Sequence, residues 1–206
     1  MKAYHFLKDD MTAGSGNEPA WTIGEERTFE GNITICESGY HSSPSWYDCL
    51  KFAPGNMACI VEISKPIKSD KSKQVSRTRK LVDARNAEKV LRTFACDCAE
   101  RALRKTKVTD ERSWNAIKTA RLYNEGKANK EDLDTAWDAA WDAARDAAWA
   151  AARAAARDAA RAAARAAARN AARAAARNAA WAAAWAADIS WQKRHLNKLM
   201  KELFKE

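Results

Sequence analysis

Residues 136–153 read AWDAAWDAARDAAWAAAR, and the same four-residue unit continues to residue 187. Every fourth residue from Trp137 to Trp185 is Trp or Arg, the next is Ala, Asp or Asn, and the other two are always Ala. Because alanine has the highest helix propensity, this stretch predicts a long Ala-rich C-terminal α-helix over residues 129–187. An amphipathic helical tail follows over residues 188–206, and a bend is expected near residues 188–190.

The start of this helix has its own signal. Asn129 can cap a helix, and Asp132 follows three residues later, as in a capping box. The first turns are also rich in Asp and Glu, which suits the positive end of the helix dipole.

A period of four does not keep the Trp and Arg side chains on one face. Each step of four advances about 40° around the axis, so the stripe winds around the helix. On a straight helix the Trp residues nevertheless return to one sector from both ends, which predicts a docking face of Trp137, Trp141, Trp149, Trp181, Trp185 and Trp191. The central Arg residues predict a binding surface for an anionic partner, made of Arg153, Arg157, Arg161, Arg165, Arg169, Arg173 and Arg177.

The first 125 residues predict a small α+β head domain, so the fold class is α+β. Three β-branched or alternating segments predict strands, at Lys2–Leu7, 32–36 and 58–64. Helices are expected over residues 45–52, 87–104 and 111–122, while the basic stretch 68–80 predicts a loop or the first turns of a helix.

The composition favours acidic partners. The chain has 206 residues and a formal net charge of +9, which suits nucleic acid or an acidic protein. No signal peptide and no membrane span are expected, and the odd number of five Cys indicates reduced thiols in the cytoplasm. Cys96 and Cys98 would point in different directions on a helix, so joint metal ligation is not expected.

Two histidines are the candidates for chemistry in the head domain. His5 lies in the first predicted strand and His41 follows the second, so that the two could meet on neighbouring strands and bind a ligand or a metal. The alternative is that both are structural. No nucleotide-binding, metal-binding or nucleophile motif is present, so neither a metal nor a cofactor is expected.

The run SGYHSSPSWYDCLKFAPGNMACIVEIS resembles an uncharacterised domain of phage and bacterial proteins. That family has a G-[YF]-H-x-S segment, here Gly39 to Ser43, and an A-P-G segment, here residues 53–55; Cys49 stands where Ala is usual. Similar proteins also carry Ala/Trp/Arg repeats. The resemblance implies no activity, but it implies the host cell cytoplasm if the chain is phage-encoded.

A more distant layout is similar to ADP-ribosyltransferase-like folds. The Tyr4-His5 strand, the Gly-Tyr-His-Ser segment and the following V-E-I strand carry that similarity. It implies that His5 and His41 would lie near a nicotinamide-cofactor cleft, with Glu62 as the guess for the catalytic acid.

The leading interpretation is a non-enzymatic binding or structural protein. Its long cationic helix would engage the nucleic acid backbone or an acidic protein, or would assemble copies of the chain into a homo-oligomer. Two alternatives stay open, namely an ADP-ribosyltransferase-like enzyme with the helix as a targeting arm and a phage-encoded inhibitor or immunity factor that binds a host protein.

Overall fold

The structure is a computed structural model that describes the backbone of residues 1–163 and 167–205. Side chains are described for residues 1–147, 149, 150, 153 and 184–205. The described chain is mixed α+β, as the sequence predicts. Its contacts divide it into an N-terminal unit (Met1–Leu91 with Gln192–Glu206) and a helical unit (Arg92–Trp191).

Two small antiparallel sheets form the N-terminal unit. The first has the strand order β1 (Lys2–Leu7), β4 (Met57–Ile63), β7 (Thr78–Asn86) and β2 (Glu26–Thr28). The second has the order β3 (Tyr40–Ser42), β6 (Gln74–Ser76) and β5 (Lys68–Ser69). An isolated bridge joins them, because Tyr4 and Ser43 exchange backbone hydrogen bonds of 3.0 and 2.9 Å.

A cluster of buried side chains lies on one face of the first sheet, while Phe6 of β1 and Ala58 of β4 are buried on the opposite face. Alternate residues of a strand point to the same face, and alternate residues of β1 and β4 are buried here. Burying apolar side chains stabilises by roughly 25 cal/mol per Å² of apolar surface, so these strands carry much of the unit's stability. The members of this cluster are Ala3, Leu7, Trp21, Tyr40, Cys59, Val61, Ile63 and Leu81.

Two local predictions are confirmed and two are wrong. Strands β1 and β4 form where expected, whereas residues 32–36 form no strand and lead into a turn over residues 35–37, which a bridge between Thr34 and Ser38 closes. The Ser38 hydroxyl donates to the Asn32 carbonyl at 2.7 Å and accepts from the Thr34 N–H at 3.0 Å, so the segment bonds to itself. The stretch 68–80 forms β5, β6 and the start of β7, because its partners are distant strands that composition does not reveal.

The short helix α1 (Trp46–Leu50) lies within the predicted range 45–52. Ser45 caps it, since the Asp48 N–H donates to the Ser45 Oγ at 3.2 Å. Trp46 is buried, and its ring lies 4.4 Å from that of Tyr4 in β1.

The C-terminal tail completes the N-terminal unit. It is the end of helix α5 (Ala167–Leu203), in which Leu196 and Met200 are fully buried and Leu203 is partly exposed. The Phe204 ring stacks on Trp46 at 5.4 Å, and the Arg85 guanidinium donates to the Leu203 carbonyl at 3.2 Å. The amphipathic tail predicted from the sequence therefore buries Leu196 and Met200 in this unit.

Helix α5 continues through residues 188–190, where the sequence favoured a bend. In the helical unit, Asp188 accepts hydrogen bonds from Arg101 and Lys105, both at 2.9 Å. Asp188 therefore joins α5 to helix α2 (Glu88–Thr106) through two ion pairs and lies inside α5 rather than at its end.

Helices α2 (Glu88–Thr106) and α3 (Glu111–Asn124) match the predicted ranges closely. The Arg121 guanidinium ties them together through Asp97 at 2.8 Å and Glu100 at 2.7 Å. Helix α3 also packs on helix α4 (Lys130–Ala163), in which Ala136 and Ala143 are buried.

The capping box at the start of α4 is confirmed. The Asp132 N–H donates to Asn129 Oδ1 and the Asn129 N–H donates to Asp132 Oδ2, both at 2.9 Å. The prediction of a single helix passing through residues 164–166 lies outside the described residues. None of the helices traced in the described chain is both long and apolar enough to cross a bilayer.

Candidate functional site

The N-terminal unit contains a cleft of about 260 Å³ between its two sheets. The bridge between Tyr4 and Ser43 aligns β1 with β3, which places His5 and His41 in the wall of the same cleft. The sequence-predicted meeting of these two histidines is therefore seen in the fold. The other polar lining residues are Ser15, Glu18, Cys36, Glu37, Tyr40, Ser42, Ser43, Cys49, Lys73 and Arg79.

His41 is engaged with its own loop. Its Nε2 accepts a hydrogen bond of 2.8 Å from the Cys36 N–H, so this nitrogen carries no proton. Burial, and after it the charge of Lys73, lowers the pKa of His41. His41 therefore positions the turn around Cys36, whose φ of 70° is in the left-handed region that non-glycine residues rarely adopt.

His5 differs from His41 in having an unused nitrogen. Its Nε2 is buried and has no hydrogen-bond partner in the described part of the chain. Burial is the main reason that the pKa of His5 lies well below its usual value, with a further lowering by Arg79. A neutral imidazole with a free nitrogen can either donate to or accept from a bound molecule, depending on its tautomer.

Arg79 is the only cation among the buried residues of the described chain, with 4 % of its surface exposed. Its guanidinium carbon lies 4.4 Å from the Trp21 ring centroid and 4.8 Å from that of Tyr40. Its Nη1 donates to the His41 carbonyl at 3.2 Å, and no carboxylate of the described residues lies within 4 Å of it. Burial lowers the pKa of Arg79 to about 10, which still leaves it charged at neutral pH.

Two hydroxyl groups complete the polar wall. Ser42 is 3 % exposed, and its Oγ has no hydrogen-bond partner among the described residues. Burial, followed by the nearby Glu18 carboxylate, raises the pKa of Tyr40 to about 12. Both groups therefore remain neutral hydroxyls at neutral pH, and the Ser42 hydroxyl keeps hydrogen-bonding capacity that the described residues do not use.

The rim of the cleft carries a second cation. The Lys73 Nζ lies 3.9 Å from the Phe52 ring centroid and 3.7 Å from the Cys36 Sγ. Phe52 is 45 % exposed, so the rim offers an apolar ring beside a positive charge. The cleft thus combines a buried cation, a rim cation and unused neutral donors with two lining carboxylates, Glu18 and Glu37.

This arrangement suits an anion better than a metal ion. Positive charge and hydroxyl donors favour phosphate or carboxylate oxygens. Across the described residues, no three His, Cys, Asp or Glu side chains converge closely enough to hold a metal. The buried Cys59 and Cys49 are inert, since burial raises the pKa of both, to about 12 for Cys59.

The structure also places some of the residues predicted for the repeat. Trp137, Trp141 and Trp149 are each 63 % exposed and Trp185 is 58 % exposed, whereas Trp191 lies 4.4 Å from the Arg101 guanidinium. Arg153 lies 5.4 Å from the Trp149 ring. The side chains of the remaining predicted residues lie outside the described residues, namely Arg157, Arg161, Arg165, Arg169, Arg173, Arg177 and Trp181.

Sequence reasoning missed Arg79, Ser42 and Lys73. Arg79 lies in a basic stretch, residues 68–80, that resembles a solvated loop, and only its pairing in β7 buries it. A partial signal existed in the alternation from Thr78 to Leu81, because Arg79 and Leu81 point to the same face of a strand. Glu62, the suggested catalytic acid, lies in β4 and is exposed. It stands opposite Lys2 of β1 and Lys80 of β7 in the sheet.

The family model for a domain of unknown function (DUF7666) matches residues 1–93. This agrees with the resemblance to an uncharacterised domain family. The matched residues contain all seven strands and the whole cleft, but neither the repeat nor the tail that completes the N-terminal unit. No curated protein and no solved structure matches the chain.

Proposed function

We propose that the N-terminal unit binds a small phosphate-bearing molecule in the cleft beside Arg79. The observation that carries this proposal is a buried guanidinium with no carboxylate of the described chain within 4 Å; the charge of Glu18, farther off in the same cleft, raises the pKa of Arg79 against the effect of burial. Transferring a charge out of water costs several kcal/mol unless an opposite charge and hydrogen bonds compensate. A bound anion would supply both, which gives the fold a reason to retain Arg79 there.

Phosphate fits the surrounding groups better than a single carboxylate does. Its three terminal oxygens can accept from the guanidinium fork, from the unused Ser42 hydroxyl and from the unused His5 nitrogen. Lys73 adds a second positive charge at the rim, and the exposed Phe52 ring there suits an apolar or aromatic part of the ligand. A volume of about 260 Å³ limits the ligand to a small molecule.

Isothermal titration calorimetry tests the proposal with inorganic phosphate and adenosine 5′-monophosphate in a phosphate-free buffer. The Arg79→Met variant removes the charge, and Lys80→Gln is the matched control because it removes a cation from the neighbouring β7 position, which faces the other way. Charge-assisted hydrogen bonds contribute about 1.5–3 kcal/mol, so Arg79→Met should weaken binding by about 10- to 100-fold.

The Ser42→Ala variant provides a second test of the cleft in case the Arg79→Met variant does not fold. It is a small change that should weaken binding several-fold while leaving the near-ultraviolet circular dichroism unchanged. Absence of binding to wild-type protein at millimolar ligand would refute the proposal, as would unchanged affinity in both cleft variants.

A second candidate function is the ADP-ribosyltransferase-like activity. It is favoured by the placement of His5 and His41 in one cleft, while the carboxylates that line this cleft are Glu18 and Glu37 and do not include Glu62. Incubation with NAD and detection of released nicotinamide tests it. Turnover that falls in both His5→Ala and His41→Ala supports an enzyme, and no turnover by wild-type protein removes it.

We also propose that the repeat is a second binding surface, carried by a long Ala-rich C-terminal helix. Its support is the set of exposed indoles in α4 together with the Arg series of the sequence. An anionic partner, a host protein or another copy of the chain could occupy it. Phage origin, a homo-oligomer and a cytoplasmic location belong to this same proposal and rest on the resemblance and the composition.

Fluorescence anisotropy with labelled duplex DNA tests the nucleic-acid version. Binding through phosphate contacts should weaken steeply between about 50 and 200 mM salt. Binding that does not respond to salt, or no binding at about 50 mM salt, excludes the DNA backbone as the partner.

A further inference from the structure

Helix α4 has two parts with different surroundings. Its first part packs on α3 through Ala136 and Ala143. From Ala144 onward, every residue of α4 whose side chain is described is exposed, including Trp149 and Arg153. Arg112 of α3 pairs with Asp146 at 3.1 Å, but the Trp149 indole beyond it is 63 % exposed, and such an exposed apolar surface fits a partner.

The charges of α4 are separated along its length. Residues 130–146 contain six Asp and Glu against two Lys and Arg, a formal charge of −4. Residues 147–163 contain three Arg against one Asp, a formal charge of +2. One end of the helix is therefore acidic and the other is basic.

We propose that α4 pairs antiparallel with α4 of a second copy of the chain. An antiparallel pair places the acidic half of each helix against the basic half of the other, whereas a parallel pair opposes like charges. Two-fold symmetry makes every contact occur twice, so one complementary pair becomes two. The proposal names the partner of the repeat, and so rests on the proposed binding role of the repeat but not on the ligand of the cleft.

The period of four sets the register. Asp residues stand at 134, 138 and 142, and Arg residues at 153, 157 and 161, so that one antiparallel register opposes Asp142 to Arg153, Asp138 to Arg157 and Asp134 to Arg161. The two-fold axis then lies beside Trp149, because residue 146 faces residue 149. A shift of four residues would oppose Asp146 to Arg153, Asp142 to Arg157 and Asp138 to Arg161. Asp146 is already paired with Arg112 of α3 at 3.1 Å, which favours the first register.

On a straight helix, the pair Asp142–Arg153 lies nearest to the line along which the two helices would touch. At about 100° per residue, Asp142, Trp149 and Arg153 lie within about 40° of one another on α4. The outer Asp and Arg residues turn away on a straight helix and meet only if the pair coils right-handed, as a period above 3.6 requires. Two Trp149 rings and two Asp142–Arg153 pairs should therefore carry the contact.

The groups of this contact are available in the single chain. Asp142 pairs with Arg145 at 2.8 Å, but both side chains are more than half exposed, and such surface pairs contribute little. Arg153 lies over the exposed Trp149 ring. Neither contact prevents a second helix from approaching this face.

Sedimentation equilibrium of the full chain at low salt tests the proposal. Wild-type protein should form a dimer that weakens as salt rises. Asp142→Arg and Arg153→Asp should each weaken the dimer by about tenfold or more, because each change turns two attractive contacts into repulsive ones. The double variant Asp142→Arg with Arg153→Asp should restore it, since the opposite charges are exchanged.

Glu125→Arg is the matched control, because it makes the same change of charge at an exposed position outside α4. Circular dichroism of every variant checks that the helices are retained. The proposal is overturned if the wild-type chain is a monomer at about 100 μM, or if the double variant does not recover while both single variants stay folded. A monomer that binds duplex DNA overturns the pairing but leaves the binding role of the repeat, and a monomer that binds neither removes both.

Discussion

Leu196→Ala should strongly destabilise the N-terminal unit, although the residue lies more than 100 positions after the last strand of that unit. Leu196 has none of its surface exposed, and the segment around it belongs to this unit. Replacing a fully buried Leu by Ala costs about 2–5 kcal/mol, because the methyl groups leave the core and a cavity remains. For a unit of this size, each kcal/mol lowers Tm by about 4–8 °C, so a decrease of about 8 °C or more is expected.

Urea unfolding followed by near-ultraviolet circular dichroism measures this loss, since Trp46, Trp21 and Tyr40 report the packing of the unit. Lys198→Ala is the control, because it also introduces Ala but on the exposed side of the same helix. Its free energy of unfolding should stay within about 0.5 kcal/mol of the wild-type value. If Leu196→Ala unfolds at the same urea concentration as Lys198→Ala, the tail is not part of the core and the reasoning fails.

Three further outcomes are expected. A fragment of residues 1–93 should unfold at a lower temperature than the full chain. Adding a peptide of residues 192–206 should stabilise the fragment, whereas the same peptide with Met200→Ala should not. If the first peptide has no effect, the packing of the tail is contradicted. The free energy of unfolding should fall as pH drops below about 6.5, because the fold lowers the pKa of His5 and the unfolded chain takes up the proton first. The fall should be up to about 1.4 kcal/mol per pH unit for one proton. Urea titrations at several pH values should give a smaller slope for His5→Gln, and an unchanged slope would contradict this role of His5. Asn129→Ala should cost about 1 kcal/mol by removing one half of the capping box, which thermal unfolding of the helical unit measures against the exposed control Lys127→Ala.

The elements that the sequence predicted correctly are those specified by neighbouring residues. The capping box of α4 joins residues three apart, and the N-cap of α1 joins Ser45 to Asp48. Strands β1 and β4 were predicted because alternation is a local pattern. His5 and His41 were candidates from the sequence, and the fold places both in the wall of one cleft, but a role in binding stays a prediction.

The errors lie where distant residues decide. The stretch 68–80 contains many Lys and Arg residues, which predict a loop or the first turns of a helix. Pairing of β6 with β3 and β5, and of β7 with β4, instead makes it two strands and the start of a third. Residues 32–36 are strand-like in sequence but lead into a turn that closes through the Ser38 hydroxyl. In both segments the hydrogen-bond partner outweighs the local propensity of the chain.

The sequence by itself determined the α+β class, the helices of the repeat and their charge, because propensity and charge act within a few residues. Only the tertiary structure decided which cation is buried, which polar atoms are left without partners, and that the tail completes the N-terminal unit. Burial of Arg79 depends on Trp21 and Tyr40, which are 58 and 39 positions away in the chain. Such proximity is created by the packing of two sheets, and no local pattern of residues encodes it.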